Sequence, residues 1–302
     1  MLLVLYNKII EGYVLSRFFK EDVSILKICE NIKVDYLGRD EIKLDCISDG
    51  NIGAPNSICA YIKGRKPEKF DNLVVISKSV LEGYICIIND SPKKLLNDIV
   101  DYVKTNVGFK RLYMNSTDFS KVQIGKNCII EDDVYIGPGT VIEHGVILHS
   151  GTYIGKNCLI RSGAVIGGEG FGFIKDGNEL IRETFLGQVI IGNDVEVGYN
   201  CTIMRGEIFD TIIKNGVKID NLVHIAHDCN IGENATITAG VSLCGHVSIG
   251  ENVRLAPNST IKQRLSVGHD SVIGLGAVVT KNVPENDIMI GNPAKSLKRR
   301  VR

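Results

Sequence analysis

An aliphatic residue recurs at every sixth position through most of the chain beyond residue 120. It runs from Ile124 through Ile130, Ile136, Ile142, Leu148, Ile154 and Ile160 to Ile166, returns at Ile191, Val197 and Ile203, and runs again from Ile213 to Val279. A helix would show spacings of three and four, and an ordinary strand would alternate over a short run; neither sustains a period of six. The period is that of a parallel β-helix, in which six residues make one short strand and one corner, and three such units close a triangular coil. Residues eighteen apart then stack in neighbouring coils. The aliphatic residue points into the prism, and Gly often follows it, as at Gly125, Gly137, Gly155, Gly192, Gly232, Gly250, Gly268 and Gly274, where a corner must turn. The position four after the aliphatic one also faces inward and must be small. Cys128, Cys158, Cys201 and Cys229 occupy it, and free Cys packs as a small hydrophobe.

Two breaks interrupt the register. Residues 167–190 hold GGEGFGF and a polar stretch too irregular for a strand, so a loop is expected to leave the solenoid there. Phe171 and Phe173 are costly to expose, and a partner subunit or a ligand is expected to cover them. GGEGFG is not a dinucleotide motif, because no helical pattern follows it. Residues 204–212 fall two short of the register and form a smaller bulge. Before residue 115 the period is absent. LVVIS and YICII read as strands, and SPKKLLNDIVDYVKTN reads as a helix with Ser91 as N-cap, Pro92 at the first position, and Leu95, Leu96, Ile99, Val100 and Val103 on one face. The expected fold is therefore mainly β. A small α/β domain covers 1–115, a parallel β-helix covers 116–283 with an insertion at 167–190, and a short, basic, helical tail covers 284–302.

Lys+Arg and Asp+Glu balance at 35 each, which argues against wholesale binding to nucleic acid or an acidic membrane. The apolar start, Met1 to Tyr6, is too short for a signal segment or a membrane span, so a soluble, cytoplasmic protein is expected. Nine cysteines without a CxxC pair make neither a disulfide framework nor a zinc site.

The runs IRSGAVIGGEGFGF, VIIGNDVEVGYNCTIMRG and DTIIKNGVKIDNLVHIAH resemble the UDP-3-O-acylglucosamine N-acyltransferases of lipid A synthesis. The resemblance implies a left-handed coil, an exception to the right-handed crossover rule. It also implies a homotrimer with active sites between subunits, an N-terminal domain that helps bind the uridine nucleotide, and His227 of the IAH motif as general base. Two features depart from that family. Asp228 stands where its motif has Asn, and Arg264 stands where it has a second histidine. HDCNIG and IGNPAKSLK instead resemble the acetyl-CoA-dependent acetyltransferases of nucleotide-linked amino sugars, which serve O-antigen or lipopolysaccharide synthesis and in which a His-acid pair is catalytic. The first expectation is therefore transfer of an acetyl or other short acyl group from coenzyme A to a nucleotide-linked amino sugar. The alternative is the lipid A enzyme with acyl carrier protein as donor.

Acyl transfer to an amine needs a base for the attacking nitrogen, donors for the carbonyl oxygen as it turns negative, and both partners held in line. His227 lies two after the inward Ile225, at a corner, and should point outward; an imidazole suits a base near neutrality. Asp228 would orient the ring, unless the two are only a surface pair. Gly245, eighteen residues on, should stack about 4.8 Å away, leaving its N–H for a thioester oxygen, although corner geometry also wants Gly. His246 stacks over Asp228 by the same arithmetic and competes for it. His224 is either structural or substrate-facing. Asp220 and Asn221 are candidates for sugar contact, together with Phe171 and Phe173. Gly291, Asn292, Pro293, Ala294, Lys295 and Lys298 are candidates for contact with coenzyme A, the alternative being a solvated tail. No GxSxG signals a covalent serine nucleophile, and direct transfer requires no metal. Two other classes remain: a solenoid metal enzyme, for which His144 and His149 have suitable spacing, and a non-catalytic scaffold.

Overall fold

The computed structural model describes residues 17–36, 38, 42–64, 66–111 and 116–297. The chain forms two compact units, Met1–Lys110 with Phe171–Leu186, and Arg111–Gly170 with Gly187–Arg302.

The first unit holds a five-stranded sheet in the order β1 (Arg17–Ser24), β2 (Lys43–Ile47), β3 (Ser57–Ala60), β4 (Val74–Ser77) and β5 (Ile85–Ile88). β1 runs antiparallel to β2 and the other neighbours are parallel. Helices α1 (Ile25–Ile32) and α2 (Pro92–Asn106) accompany it. LVVIS and YICII supply β4 and β5, and α2 buries Leu95, Leu96, Ile99, Val100 and Val103, the face read from the sequence. Ser91 stands at the N-cap position but its side chain makes no capping bond. Its N–H goes instead to Asn89 Oδ1 at 2.8 Å, and its carbonyl accepts the Leu95 N–H at 3.0 Å to open the helix.

The insertion corrects the sequence reading. Instead of an irregular loop it forms an antiparallel hairpin, Phe173–Asp176 against Glu179–Arg182, turned through Gly177 and Asn178 with Gly177 at φ 58°. A two-residue turn containing Gly between two runs is a hairpin signal; the polar residues of both strands obscured it. Four side-chain contacts tie the insertion to α2. Thr184 donates its N–H to Asn97 Oδ1 (2.8 Å) and its hydroxyl to Asp101 Oδ1 (2.6 Å). Lys93 pairs with Glu183 and Lys94 with Asp176, both at 2.8 Å.

The second unit is a parallel β-helix with three faces. Face one stacks eight strands from Ile129–Ile130 to Val278–Val279, and face two stacks seven from Tyr135–Ile136 to Ser266–Val267. Face three stacks ten from Gln123–Ile124 to Lys295–Ser296. Ile225 pairs with Leu243 and Ile231 with Ile249, the eighteen-residue register read from the sequence. Ile191 pairs with Ile213, so that coil holds 22 residues, four more than the regular one. The inward aliphatics are buried, among them Ile136, Ile160, Ile203, Ile225 and Ile249. Cys158, Cys201 and Cys229 are buried in the small inward positions and Cys128 is half-buried. Their thiols donate to carbonyls at the corners of the next coil, as from Cys201 to Asp220 O at 3.0 Å.

The expected helical tail is absent among the described residues. Ile288–Ile290 continues face three beside Val272–Ile273, and Lys295–Ser296 folds back on it antiparallel. Between 284 and 293, Pro284, Gly291 and Pro293 leave no stretch long enough for a helix. The segment closes the last coil: Val278 donates to Gly291 O (3.0 Å), Ala294 donates to Val278 O (2.8 Å), and Met289 is buried against the prism core. Solenoids need such an end, because the final coil has no neighbour to cover it. Among the described residues no helix is long and apolar enough to cross a membrane.

Candidate active site

The edge between faces one and two carries His227 and His246. The chain leaves strand His224–Ile225 on face one, turns through Ala226, His227, Asp228 and Cys229, and enters strand Asn230–Ile231 on face two. Asp228 adopts φ 57° and His246, one coil on, φ 59°; Asp tolerates this left-handed corner because its short side chain bonds locally. Backbone bonds fix the vertical stack. His246 donates its N–H to His227 O at 2.9 Å, and Arg264 donates to Gly245 O at 3.0 Å.

His227 lies against Gly245. A Cβ placed on that glycine would come within 2.7 Å of both Cε1 and Nε2 of the ring, so only Gly admits the imidazole there. The Gly245 N–H donates to no backbone carbonyl among the described residues. Asp228 is nearly sealed, its side chain 2% exposed. Its Oδ2 lies 2.7 Å from His227 Nδ1, and both carboxylate oxygens accept the Glu207 N–H at 3.1 Å. His246 Nε2 is 3.7 Å from the same Oδ2, beyond hydrogen-bond range. The competition left open by the sequence is thus settled in favour of His227. A carboxylate at Nδ1 keeps the imidazole proton there and leaves the lone pair on Nε2, the atom beside Gly245.

Glu207 belongs to the site and was missed. It comes from the bulge at 204–212, where the period gives no register. Counting that coil at 22 residues would have placed Gly206 beneath Asp228, and a Cβ on Gly206 would meet Asp228 Oδ1 at 2.9 Å. Ligand atoms of Glu207, His227, Asp228 and His246 all lie within 4.8 Å of one another. A second His-Asp pair, His269–Asp270, shows what adjacency alone provides. It is exposed, with Asp270 on Nδ1 at 2.6 Å and Glu285 on Nε2 at 2.5 Å. Both nitrogens are occupied, and the bond to Asp270 leads in raising its pKa.

Other candidates fall elsewhere. His224 pairs with Thr202 Oγ1 at 2.7 Å on face one, and its pKa is lowered first by partial burial, then by His227. Asp220 and Asn221 occupy the neighbouring edge and cap backbone: Asp220 accepts the Ala239 N–H at 3.1 Å and the Asn221 N–H at 2.8 Å, and Asn221 accepts the Tyr199 N–H at 2.8 Å. Gly291, Asn292, Pro293 and Ala294 close that same neighbouring edge, so one chain does not bring them to His227; Lys295 follows in the last strand, and Lys298 lies outside the described residues. Phe171 and Phe173 sit in the first unit, 87% and 37% exposed, with ring centroids 5.0 Å apart; nothing in the single chain covers Phe171. His144 Nδ1 accepts the Lys126 N–H at 2.8 Å and His149 Nδ1 pairs with Glu131 at 2.9 Å, so the two candidate metal ligands have separate partners.

A triangular prism of six-residue units with a histidine on one edge places the chain among hexapeptide-repeat proteins of the transferase kind. The profile of bacterial transferase hexapeptides (six repeats) matches residues 133–168, 210–245 and 229–263. LpxA from Acinetobacter baumannii superposes with TM-score 0.54 at 32% identity, over 61% of this chain and 72% of that one. The UDP-N-acetylglucosamine acyltransferase of Francisella novicida does so with TM-score 0.54 at 32% identity, over 62% and 70%. The chain belongs to the hexapeptide-repeat bacterial transferase family, and its solenoid is a left-handed parallel β-helix. The UDP-3-O-acylglucosamine N-acyltransferase of Methylorubrum extorquens (strain PA1) is 38% identical over 132 residues, 44% of this chain. The match spans 38% of that relative's length. The relative's name is that of the alternative in the sequence reading, not of its first choice.

Proposed function

We propose that this protein transfers an acyl group from a carrier thioester to the amine of a UDP-linked, 3-O-acylated glucosamine, with His227 as general base. The amine nitrogen attacks the thioester carbonyl while His227 Nε2 takes its proton. Asp228 holds the Nδ1 proton and balances the imidazolium. The Gly245 N–H meets the oxygen as it becomes negative. The tetrahedral adduct then expels sulfur, the C–S bond breaks as the C–N bond is kept, and the imidazolium returns the proton to the leaving thiolate. The observation that carries this reading is the buried Asp228 on one face of His227 with Gly245 at the other nitrogen. The relatives' names support a UDP-linked, 3-O-acylated glucosamine as acceptor; acyl carrier protein as donor comes with the resemblance to the lipid A enzymes read from the sequence. Coenzyme A stays as a second reading because Asp228 follows His227 and pairs with it.

The test offers UDP-3-O-acylglucosamine with acyl carrier protein thioester or with acetyl-CoA, using wild-type protein and His227→Ala. Turnover is expected with the carrier-protein donor, and the variant should lose roughly 10²–10⁴-fold in rate. Turnover with acetyl-CoA alone moves the assignment to the second reading; an unchanged rate in the variant leaves His227–Asp228 without a role in the reaction. A homotrimer with sites shared between subunits belongs to the same proposal, and a monomer by light scattering would count against it.

A further inference from the structure

The edge that holds His227 also assembles a donor set with another use. Two imidazoles and two carboxylates, from His227, His246, Asp228 and Glu207, bring one ligand atom each to within 4.8 Å of the others. We infer that this cluster binds a zinc-like divalent cation, and that the bound cation switches off acyl transfer. The inhibitory part rests on the reading of His227 as general base; the binding part does not.

The chemistry selects the ion class. Two imidazole nitrogens disfavour Mg²⁺ and Ca²⁺, which take oxygen ligands, and suit Zn²⁺ and its neighbours in the first transition row. Two carboxylates neutralise the dication. A tetrahedral zinc site with bonds of about 2.0–2.1 Å has ligand atoms about 3.3–3.5 Å apart. The present set must therefore contract at its widest span and, where His227 offers Nδ1, open the 2.7 Å between that atom and Asp228 Oδ2. The long Glu207 side chain supplies the reach. Asp228 can offer Oδ2 while Oδ1 keeps the Glu207 N–H at 3.1 Å, the kind of outer support that orients a metal carboxylate. The rings sit at the surface, the His227 and His246 side chains being 19% and 23% exposed, but the donors lie beneath them, with Asp228 at 2% and His246 Nε2 buried, so the two imidazoles must part to admit the ion.

Inhibition does not depend on which His227 nitrogen binds. A neutral imidazole has one free lone pair. If the metal takes Nε2, the base is occupied directly. If it takes Nδ1, the ring proton moves to Nε2, and that atom donates instead of accepting. Asp228 is withdrawn from Nδ1 in the same event. The cation thus competes with proton acceptance at the atom that faces Gly245.

The full-length protein is titrated with Zn²⁺ against a chromophoric chelator, without donor or acceptor, as wild type, Glu207→Gln and His246→Gln. One zinc per chain is expected in the wild type, with affinity reduced roughly tenfold or more in each variant, at least the loss seen for supporting groups around a metal. Circular dichroism checks that the variants fold, and two variants on separate coils guard against one that does not. Absence of stoichiometric zinc in the wild type, or unchanged affinity in both variants, overturns the site. In parallel, Zn²⁺ should lower the wild-type acyl-transfer rate and EDTA should restore it; zinc bound without loss of rate overturns the switch. Because the titration contains no substrates, its result is independent of whether the chain proves to be an acyltransferase.

Discussion

Replacing Gly245 by Ala adds one methyl group against the ring of His227. The backbone of Gly245 lies outside the left-handed region, so Ala brings no backbone strain and the effect is confined to the contact. The new Cβ would stand 2.7 Å from Nε2 and Cε1, where ordinary contact begins at 3.4 Å, so the ring must retreat by about 0.7 Å to restore one. Tilting a side chain that far costs roughly 0.5–1.5 kcal/mol, so the fold should survive with the melting temperature lower by a few degrees. The reaction is less tolerant. A base displaced by about 1 Å loses on the order of 10²-fold in rate, or about 2.7 kcal/mol of barrier. Steady-state acyl transfer measures kcat, and a thermal melt reports the fold. A double variant isolates the cause: with His227→Ala already present the methyl meets no ring, and Gly245→Ala should cost nothing more. Wild-type kcat in Gly245→Ala, or the same fractional loss with and without the imidazole, would refute the claim that this glycine acts by seating His227.

Asp228→Asn keeps the shape but no longer holds the proton on Nδ1, and kcat should fall by roughly 10²–10⁴-fold with the fold intact by circular dichroism. His224 should titrate by NMR below the ordinary histidine value, its pKa lowered first by burial and then by His227. The sign follows: above the unfolded value both states are neutral and stability is full, and stability is lost as pH falls below that value, because the unfolded chain takes up the proton first. His224→Gln should remove that part of the acid sensitivity in urea melts. Burial pushes the Cys229 and Cys59 thiols up to about 12, so neutral iodoacetamide should spare both in the folded protein and label them only in denaturant, read by mass spectrometry. Cys229→Leu overfills a small inward position and should destabilise by roughly 1–3 kcal/mol.

The solenoid was legible because its register is local arithmetic. Each coil touches only the coils above and below, so a count of eighteen places His227 beneath Gly245 and Asp228 beneath His246 without further knowledge of the fold. The same count explains the four small inward cysteines. Legibility stopped where the count did. Glu207 sits in a coil of 22 residues, and the hairpin of 173–182 leaves the coil altogether, so neither had a predicted neighbour. Chain proximity also misled: Asp220 and Asn221 precede His227 by one strand, yet one strand in a triangular coil is one whole edge away.

The period of six therefore determined the prism, its buried stripe and which residues share a vertical line, because stacking a strand on its copy leaves only one register that keeps the aliphatics inside. It could not say which nitrogen Asp228 would face, that a backbone N–H from the irregular coil would hold the carboxylate, or that the GNPAK segment would close the last coil on another edge. Those outcomes depend on side-chain rotamers and on insertions that have no copy beneath them, and only the folded chain, with every neighbour in place, decides them.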